Sequence, residues 1–206
     1  MMAGRLTAKL LTIEMALSVG AALLAAAHMT VAAAEPLHDC TRSIEAPYFP
    51  LKVSSTGRYL EDAAGTPFPM IGDSAWSLIA GLTREDAEIY LQDRRCRGFN
   101  TLLISLIEYR FVSDPPRNAY GVAPFTTPGD FTTVNASYFD HAEWIVGRAE
   151  QLGFLVLLTP AYLGFSGAGE GWADIVSTNG AENMRRYGDI IGKRLDEVAS
   201  GHAEAE

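Results

Sequence analysis

The run Phe99 to Ile107, FNTLLISLI, constrains this chain more than any other stretch. It has strand length and is almost wholly apolar, without the apolar–polar alternation of a strand that has one wet face. Such a run is buried on both faces, as in a parallel sheet covered by helices. Phe154 to Thr159, FLVLLT, is a second run of the same kind, and Thr66 to Ile71, leading into Gly72, Asp73, Ser74 and Trp76, is a third. Helical patterns separate them. Thr83 stands at an N-cap position with Asp86 three residues on, and Ala87, Tyr90 and Leu91 share one face before Gly98 ends the helix. Ser137 and Asp140 are predicted to cap a second helix that buries Phe139, Ala142, Val146, Ala149 and Leu152 and stops at Gly153. Asn179 is predicted to open a third, burying Met184, Ile191, Leu195 and Val198.

Strands alternating with helices indicate an α/β fold with a parallel sheet. Leu51 to Ser54 and Arg58 to Glu61 precede it as a short β-hairpin, and the loop Arg110 to Asn135 is long for a mere connection. Its aromatics Phe111, Tyr120, Phe125 and Phe131 argue against disorder. Three βα units fill residues 66–199. A (β/α)8 TIM barrel takes about 250 residues, so an open sheet and an incomplete barrel both fit.

Residues 1–34 read as a secretory signal peptide: Arg5 and Lys9, an apolar stretch from Met15 to Ala27, then Ala32-Ala33-Ala34. The expected location is secreted or periplasmic, with no membrane attachment after cleavage. Residues 35–50 are a lead-in segment and residues 200–206 a polar tail. With 16 basic against 25 acidic residues, the formal charge of −9 excludes a nucleic-acid partner and favours a neutral one. Cys40 and Cys96 are compatible with a disulfide or with two thiols. The four histidines are scattered, so neither a metal site nor a cofactor is expected.

The candidate site residues stand just past the strand ends, where parallel sheets carry functional groups: Asp73 and Trp76, Glu108 and Tyr109, Tyr162 and Trp172. Three chemistries compete there. Asp73 and Glu108 could form a carboxylate pair of the glycosidase type. Gly72-Asp73-Ser74 matches the opening block of GDS-type esterases, with Ser74 as nucleophile, but that family's Gly-x-Asn-Asp and Asp-x-x-His blocks are missing. The glycines 164, 167, 169 and 171 could form a phosphate loop, although no strand-GxGxxG-helix context surrounds them.

The run from Leu51 to Asn100, with its Gly72-Asp73-Ser74-Ala75-Trp76 element, its Thr83 cap and its Gly98-Phe99-Asn100 entry, resembles the opening of the apiosidase-like glycoside hydrolases. The likeness continues through Tyr138-Phe139-Asp140, Pro160 to Gly164, Gly171-Trp172, Asn179-Gly180 and Met184 to Gly188. It implies that residues 51–199 are the N-terminal portion of a (β/α)8 catalytic domain, preceded by a short β-hairpin, with the barrel incomplete in this chain. It also implies a secreted glycosidase acting on polysaccharide side chains, with a carbohydrate partner bound by Asp73, Trp76, Glu108, Tyr109, Tyr162 and Trp172. The family's catalytic carboxylates lie on a Gly-Gly-Asp element and a late Glu, and neither motif follows Lys193-Arg194 here. The chain is therefore expected to be an N-terminal fragment without catalytic residues, the alternatives being a non-catalytic carbohydrate-binding fragment or a GDS-type esterase.

Overall fold

The computed structural model describes residues 47, 49–165 and 169–199, with side chains to residue 196. The expectations for the leader, Cys40, Gly167, the Val198 side chain and the tail fall outside the described residues.

Three two-residue strands open the structure, β1 (Lys52–Val53), β2 (Leu60–Glu61) and β3 (Pro67–Phe68), paired antiparallel in that order. Asp62 holds the turn between β2 and β3: its backbone N–H donates to the Thr66 carbonyl at 2.9 Å, and its carboxylate accepts from the Thr66 N–H at 2.8 Å. The predicted single strand Thr66–Ile71 is divided. β3 ends at Phe68, and a separate strand β4 (Gly72–Asp73) begins the second sheet. Prolines at 67 and 69 remove two ladder donors around Phe68. Asn100 spans the break, its side chain accepting from the Ile71 N–H at 2.8 Å and donating to the Pro69 carbonyl at 2.7 Å.

The second sheet is parallel, in the order β4, β5 (Thr101–Ser105), β6 (Leu155–Thr159). Asp73 lies opposite Leu102, and Leu102 to Ser105 pair in register with Val156 to Thr159. Side chains alternate between the two faces of a pleated strand. Leu102 and Ile104, both fully buried, join Val156 and Leu158 in the core formed with the helices. On the opposite face Leu157 is 42% exposed. Among the described residues β6 is therefore not covered fully on both sides, since Leu157 is left open to solvent.

Among the described residues the sheets are accompanied by four helices, α1 (Leu78–Gly81), α2 (Arg84–Cys96), α3 (Ala136–Gln151) and α4 (Ala173–Ala199). The Thr83 cap forms as predicted, its hydroxyl oxygen accepting from the Asp86 N–H at 3.2 Å. The α3 cap does not. Asn135 occupies the N-cap without a side-chain bond, and Ser137 lies inside the helix. α4 begins six residues before the predicted Asn179 and breaks at Gly180, whose φ of 71° requires a residue without Cβ. Cys96, at the end of α2, is disulfide-bonded.

The long loop after β5 is anchored rather than loose. Phe125 and Phe131 are buried, with ring centroids 4.5 Å apart, and Phe131 stands edge-on to Tyr187 of α4 at 4.9 Å. Asn179 latches this loop onto α4, donating to the Gly129 carbonyl at 2.7 Å and accepting from the Phe131 N–H at 3.0 Å.

His141 of α3 is 3% exposed. Its Nε2 reaches the Ile79 carbonyl at 3.0 Å and the Leu82 carbonyl at 3.2 Å, so the ring caps the end of α1. The Nδ1 atom is buried without a partner. Burial lowers the pKa and the Arg84 charge adds to this, against the two carbonyls and Glu85, which pull the other way.

This packing generates two expected outcomes. Phe131→Ala should cost about 3–5 kcal/mol, as for a core aromatic, whereas the exposed Phe111→Ala should stay within about 0.5 kcal/mol; urea midpoints measure both. For His141 the sign is set by its lowered folded-state pKa. The unfolded chain takes up the proton first, so stability is full above about pH 6.5 and falls as the pH drops below that value. His141→Gln should flatten this slope in melts recorded between pH 5 and 8.

Candidate functional site

The six predicted residues divide by what their side chains touch. Asp73 lies in register with Leu102, on the helix side of the sheet. Its Oδ2 accepts a hydrogen bond from the Tyr90 hydroxyl at 2.7 Å and another from Nε of Arg94, in an ion pair. Partial burial works to raise the Asp73 pKa, but the bonds from Tyr90 and Arg94 and the Arg94 charge outweigh it and hold the carboxyl below the ordinary range. Tyr90 is pushed up to about 12 by burial and by its bond to Asp73. Arg94 of α2 thus serves as the ion-pair partner of Asp73. A groove of about 670 Å³ runs beside β4 past Asp73, Trp76, Arg94 and Phe111.

Glu108 is 4% exposed, so its charge must be satisfied internally. Oε1 accepts from the N–H groups of Tyr109, Arg110 and Phe111 at 2.9, 3.2 and 3.3 Å, and Oε2 accepts from the Ser77 hydroxyl at 2.8 Å. One carboxylate therefore closes the turn after β5 and ties it to the segment after β4. Nearby, burial raises the pKa of Tyr138 and the Glu108 charge adds to it, so this hydroxyl stays protonated and donates to the Leu106 carbonyl at 3.1 Å.

Trp76 and Tyr162 come together although 86 positions apart in sequence, with ring centroids 5.3 Å apart and planes at 55°. Trp76 is 36% exposed and Tyr162 half-buried. The Trp76 carbonyl accepts from the Ser105 N–H at 2.9 Å, which sets this residue at the carboxyl end of β5. The Tyr162 carbonyl accepts from the Trp172 N–H at 2.8 Å, closing the neck of the glycine-rich loop. A Cβ on Gly171 would run into the backbone of Tyr162 and Gly164, so glycine is required there for close approach of two chain segments. Gly171 thus has a packing reason of its own, independent of any phosphate.

Trp172 is 3% exposed and is a core ring rather than an open face. It stands edge-on to Tyr109 at 5.3 Å and to Phe131 at 5.6 Å, and its Nε1 is buried without a partner. Five of the six predicted residues consequently form one closed circuit. It runs from Trp76 to its neighbour Ser77, across to Glu108 and its neighbour Tyr109, to Trp172, back to Tyr162 and so to Trp76. Asp73 stands apart, bound to side chains of α2.

Sequence reasoning missed Ser77 and Asn100. Both are short polar residues whose partners lie about thirty positions away. The only available signal was a polar residue beside an otherwise apolar strand. Asp73 and Glu108 are each occupied by hydrogen bonds, and they sit at different heights: Asp73 is level with Leu102, while Glu108 lies three residues beyond the end of β5. Ser74 is exposed, and His141, the one histidine among the described residues, has its Nε2 on backbone carbonyls.

Comparison with known proteins bears on what this arrangement serves. The chain matches the family described as apiosidase-like, catalytic domain, over residues 54–200. A solved glycoside hydrolase aligns at 27% identity over 73% of this chain and 37% of its own length, with a TM-score of 0.52. A glycoside hydrolase family 5 protein from Bacteroides vulgatus aligns at 27% identity over 53% of this chain and 24% of its own, with a TM-score of 0.46. No curated protein matches. The chain spans about a quarter to two fifths of the length of these two solved relatives. The match covers the circuit, the parallel sheet and the helices that pack on it, and this chain belongs to the family of apiosidase-like catalytic domains.

Proposed function

We propose that this chain is the opening part of a (β/α)8 glycoside hydrolase, exported from the cytoplasm, and that it contacts carbohydrate through Trp76 and Tyr162. The observation that carries the reading is the position of this ring pair. Two partly exposed aromatic faces meet at the carboxyl end of the sheet, where a barrel of this class builds its cleft. Aromatic faces suit the apolar faces of sugar rings, and neighbouring polar groups then fix orientation. Export is supported by the leader-like residues 1–34 and by the bonded Cys96, since disulfides persist in oxidising compartments.

In this reading Glu108, Tyr109 and Trp172 hold the ring pair in place from beneath, and Asp73 fastens β4 to α2. Cleavage needs two placed carboxyls, one to protonate the leaving oxygen and one to assist attack at the anomeric carbon. The carboxylates of Asp73 and Glu108 are taken up by structural bonds, so the reading assigns cleavage to carboxylates elsewhere in a longer barrel. The polysaccharide side chains named by the resemblance are the proposed substrate class.

Titrating the full chain with soluble neutral oligosaccharides, monitored by tryptophan fluorescence, tests the reading. Trp76→Ala and Tyr162→Ala should each weaken binding by on the order of tenfold, with Phe111→Ala unchanged. Equal affinity in all three variants would remove the ring pair from the site. Asp73→Asn should instead lower stability and leave affinity intact. Because its folded-state pKa is depressed, the Asp73 contribution is present above about pH 3.9 and is lost as the pH falls through the folded value. A fluorophosphonate probe separates the esterase alternative, since Ser74 lacks an activating histidine among the described residues and should remain unlabelled.

A further inference from the structure

We infer that Ser77 and Glu108 are a positioning pair for the aromatic site: the hydrogen bond between them sets the orientation of the Trp76 ring against Tyr162. The functional part of this inference rests on the carbohydrate reading above, and the geometric part does not.

The two rings are held in different ways. Tyr162 is fixed by its own backbone, because its carbonyl takes the Trp172 N–H at 2.8 Å and Gly171 lets the two segments touch. Trp172 in turn is buried among Tyr109, Phe125 and Phe131. That side of the pair belongs to the core. Trp76 is held less firmly. Its carbonyl is bound by the Ser105 N–H, but its ring is 36% exposed and its strand ended at Asp73. Immediately after it, Ser77 reaches across to Glu108 at 2.8 Å. This is the side-chain link that ties the Trp76 segment to the turn after β5.

Glu108 is suited to this work because it cannot move cheaply. Three backbone N–H groups converge on Oε1, and a buried carboxylate that let go of them would leave both itself and three donors unsatisfied. Oε2 is thereby presented to Ser77 from a fixed place. A hydrogen bond to a charged acceptor is also stronger than one between neutral groups. The turn Tyr109–Phe111 and the Trp76 segment consequently share one anchor, and Tyr109, the residue after it, touches the ring of Trp172, whose backbone N–H holds the Tyr162 carbonyl. The two rings meet through a continuous set of bonds rather than by separate placement, which is the preorganisation a binding site requires.

Two measurements on the full chain decide the matter. In 1H–15N spectra the three tryptophan indoles give three Nε1–H signals, and Tyr162→Ala identifies the shift of the Trp76 signal when its neighbouring ring is gone. Ser77→Ala removes the cross-link and leaves the three N–H bonds to Oε1 in place, so the chain should stay folded with a urea midpoint lowered by the loss of the partner at Oε2, while its Trp76 signal moves toward the Tyr162→Ala position. Glu108→Ala, which orphans three donors, is a poor probe if it unfolds. Glu108→Gln keeps an oxygen for those donors and an amide for the Ser77 oxygen, and should leave the Trp76 signal at its wild-type position. A Trp76 signal unmoved in Ser77→Ala overturns the inference. The second measurement is retardation in gels containing soluble xyloglucan, where Ser77→Ala should lose about three- to tenfold in affinity. Loss of retardation in Trp76→Ala with none in Ser77→Ala overturns the positioning pair and leaves the carbohydrate reading standing. A shifted Trp76 signal with no retardation of the wild-type chain does the reverse.

Discussion

The structure depends on β5. Among the described residues it is the one strand of the parallel sheet with a partner on both sides, taking Gly72 and Asp73 of β4 along one edge and all five residues of β6 along the other. Leu102 and Ile104 are fully buried because helices close over the face they share with Val156 and Leu158. Removing two leucine-sized side chains from water contributes about 2 kcal/mol each, and the register that brings them inside also fixes where the strand stops. Glu108 and Tyr109, just past its end, are placed by that register.

Around this strand the helices are joined by charge as well as by apolar packing. Arg148 of α3 meets Glu88 of α2 with two hydrogen bonds of 2.5 Å, and Arg194 of α4 reaches Asp140 and Glu143 of α3. A bidentate arginine–carboxylate pair such as Arg148 with Glu88 fixes geometry more than it adds stability. Asp73 and Arg94, joined by a single Oδ2–Nε contact, likewise fasten a strand end to its covering helix. A carboxylate at a strand end invites a functional reading, and the bonded partners of Asp73 are a guanidinium and a phenol on the neighbouring helix.

Glu108 shows a different solution to the same electrostatic problem. A buried carboxylate is costly without partners, and no arginine side chain is bonded to it among the described residues. Backbone N–H groups and one serine hydroxyl satisfy it instead, which turns a charge into a joint between two loops. The aromatic residues then extend the joint across the end of the sheet, with buried Trp172 and half-buried Tyr109 beneath and Trp76 and Tyr162 at the surface. The exposed pair inherits its order from buried groups.

The amino-acid sequence by itself determined the alternation of apolar strands with helices, the Thr83 cap, the stop at Gly98 and the family. Each of these is written in neighbouring residues, in periodicity or in short motifs at fixed spacing. It also pointed to the residues past the strand ends, because strand termini are local features. The tertiary structure alone decided which of those residues are open and which are buried: Trp172 went to the core, Asp73 to Arg94 and Glu108 to a turn, while Trp76 and Tyr162 met. The same holds for the split at Pro69, bridged by Asn100 from just before β5, and for the α3 cap that the Ser137 pattern misplaced. A side chain's partner across thirty or more positions is set by strand register and helix packing, and neither leaves a periodic trace in the chain.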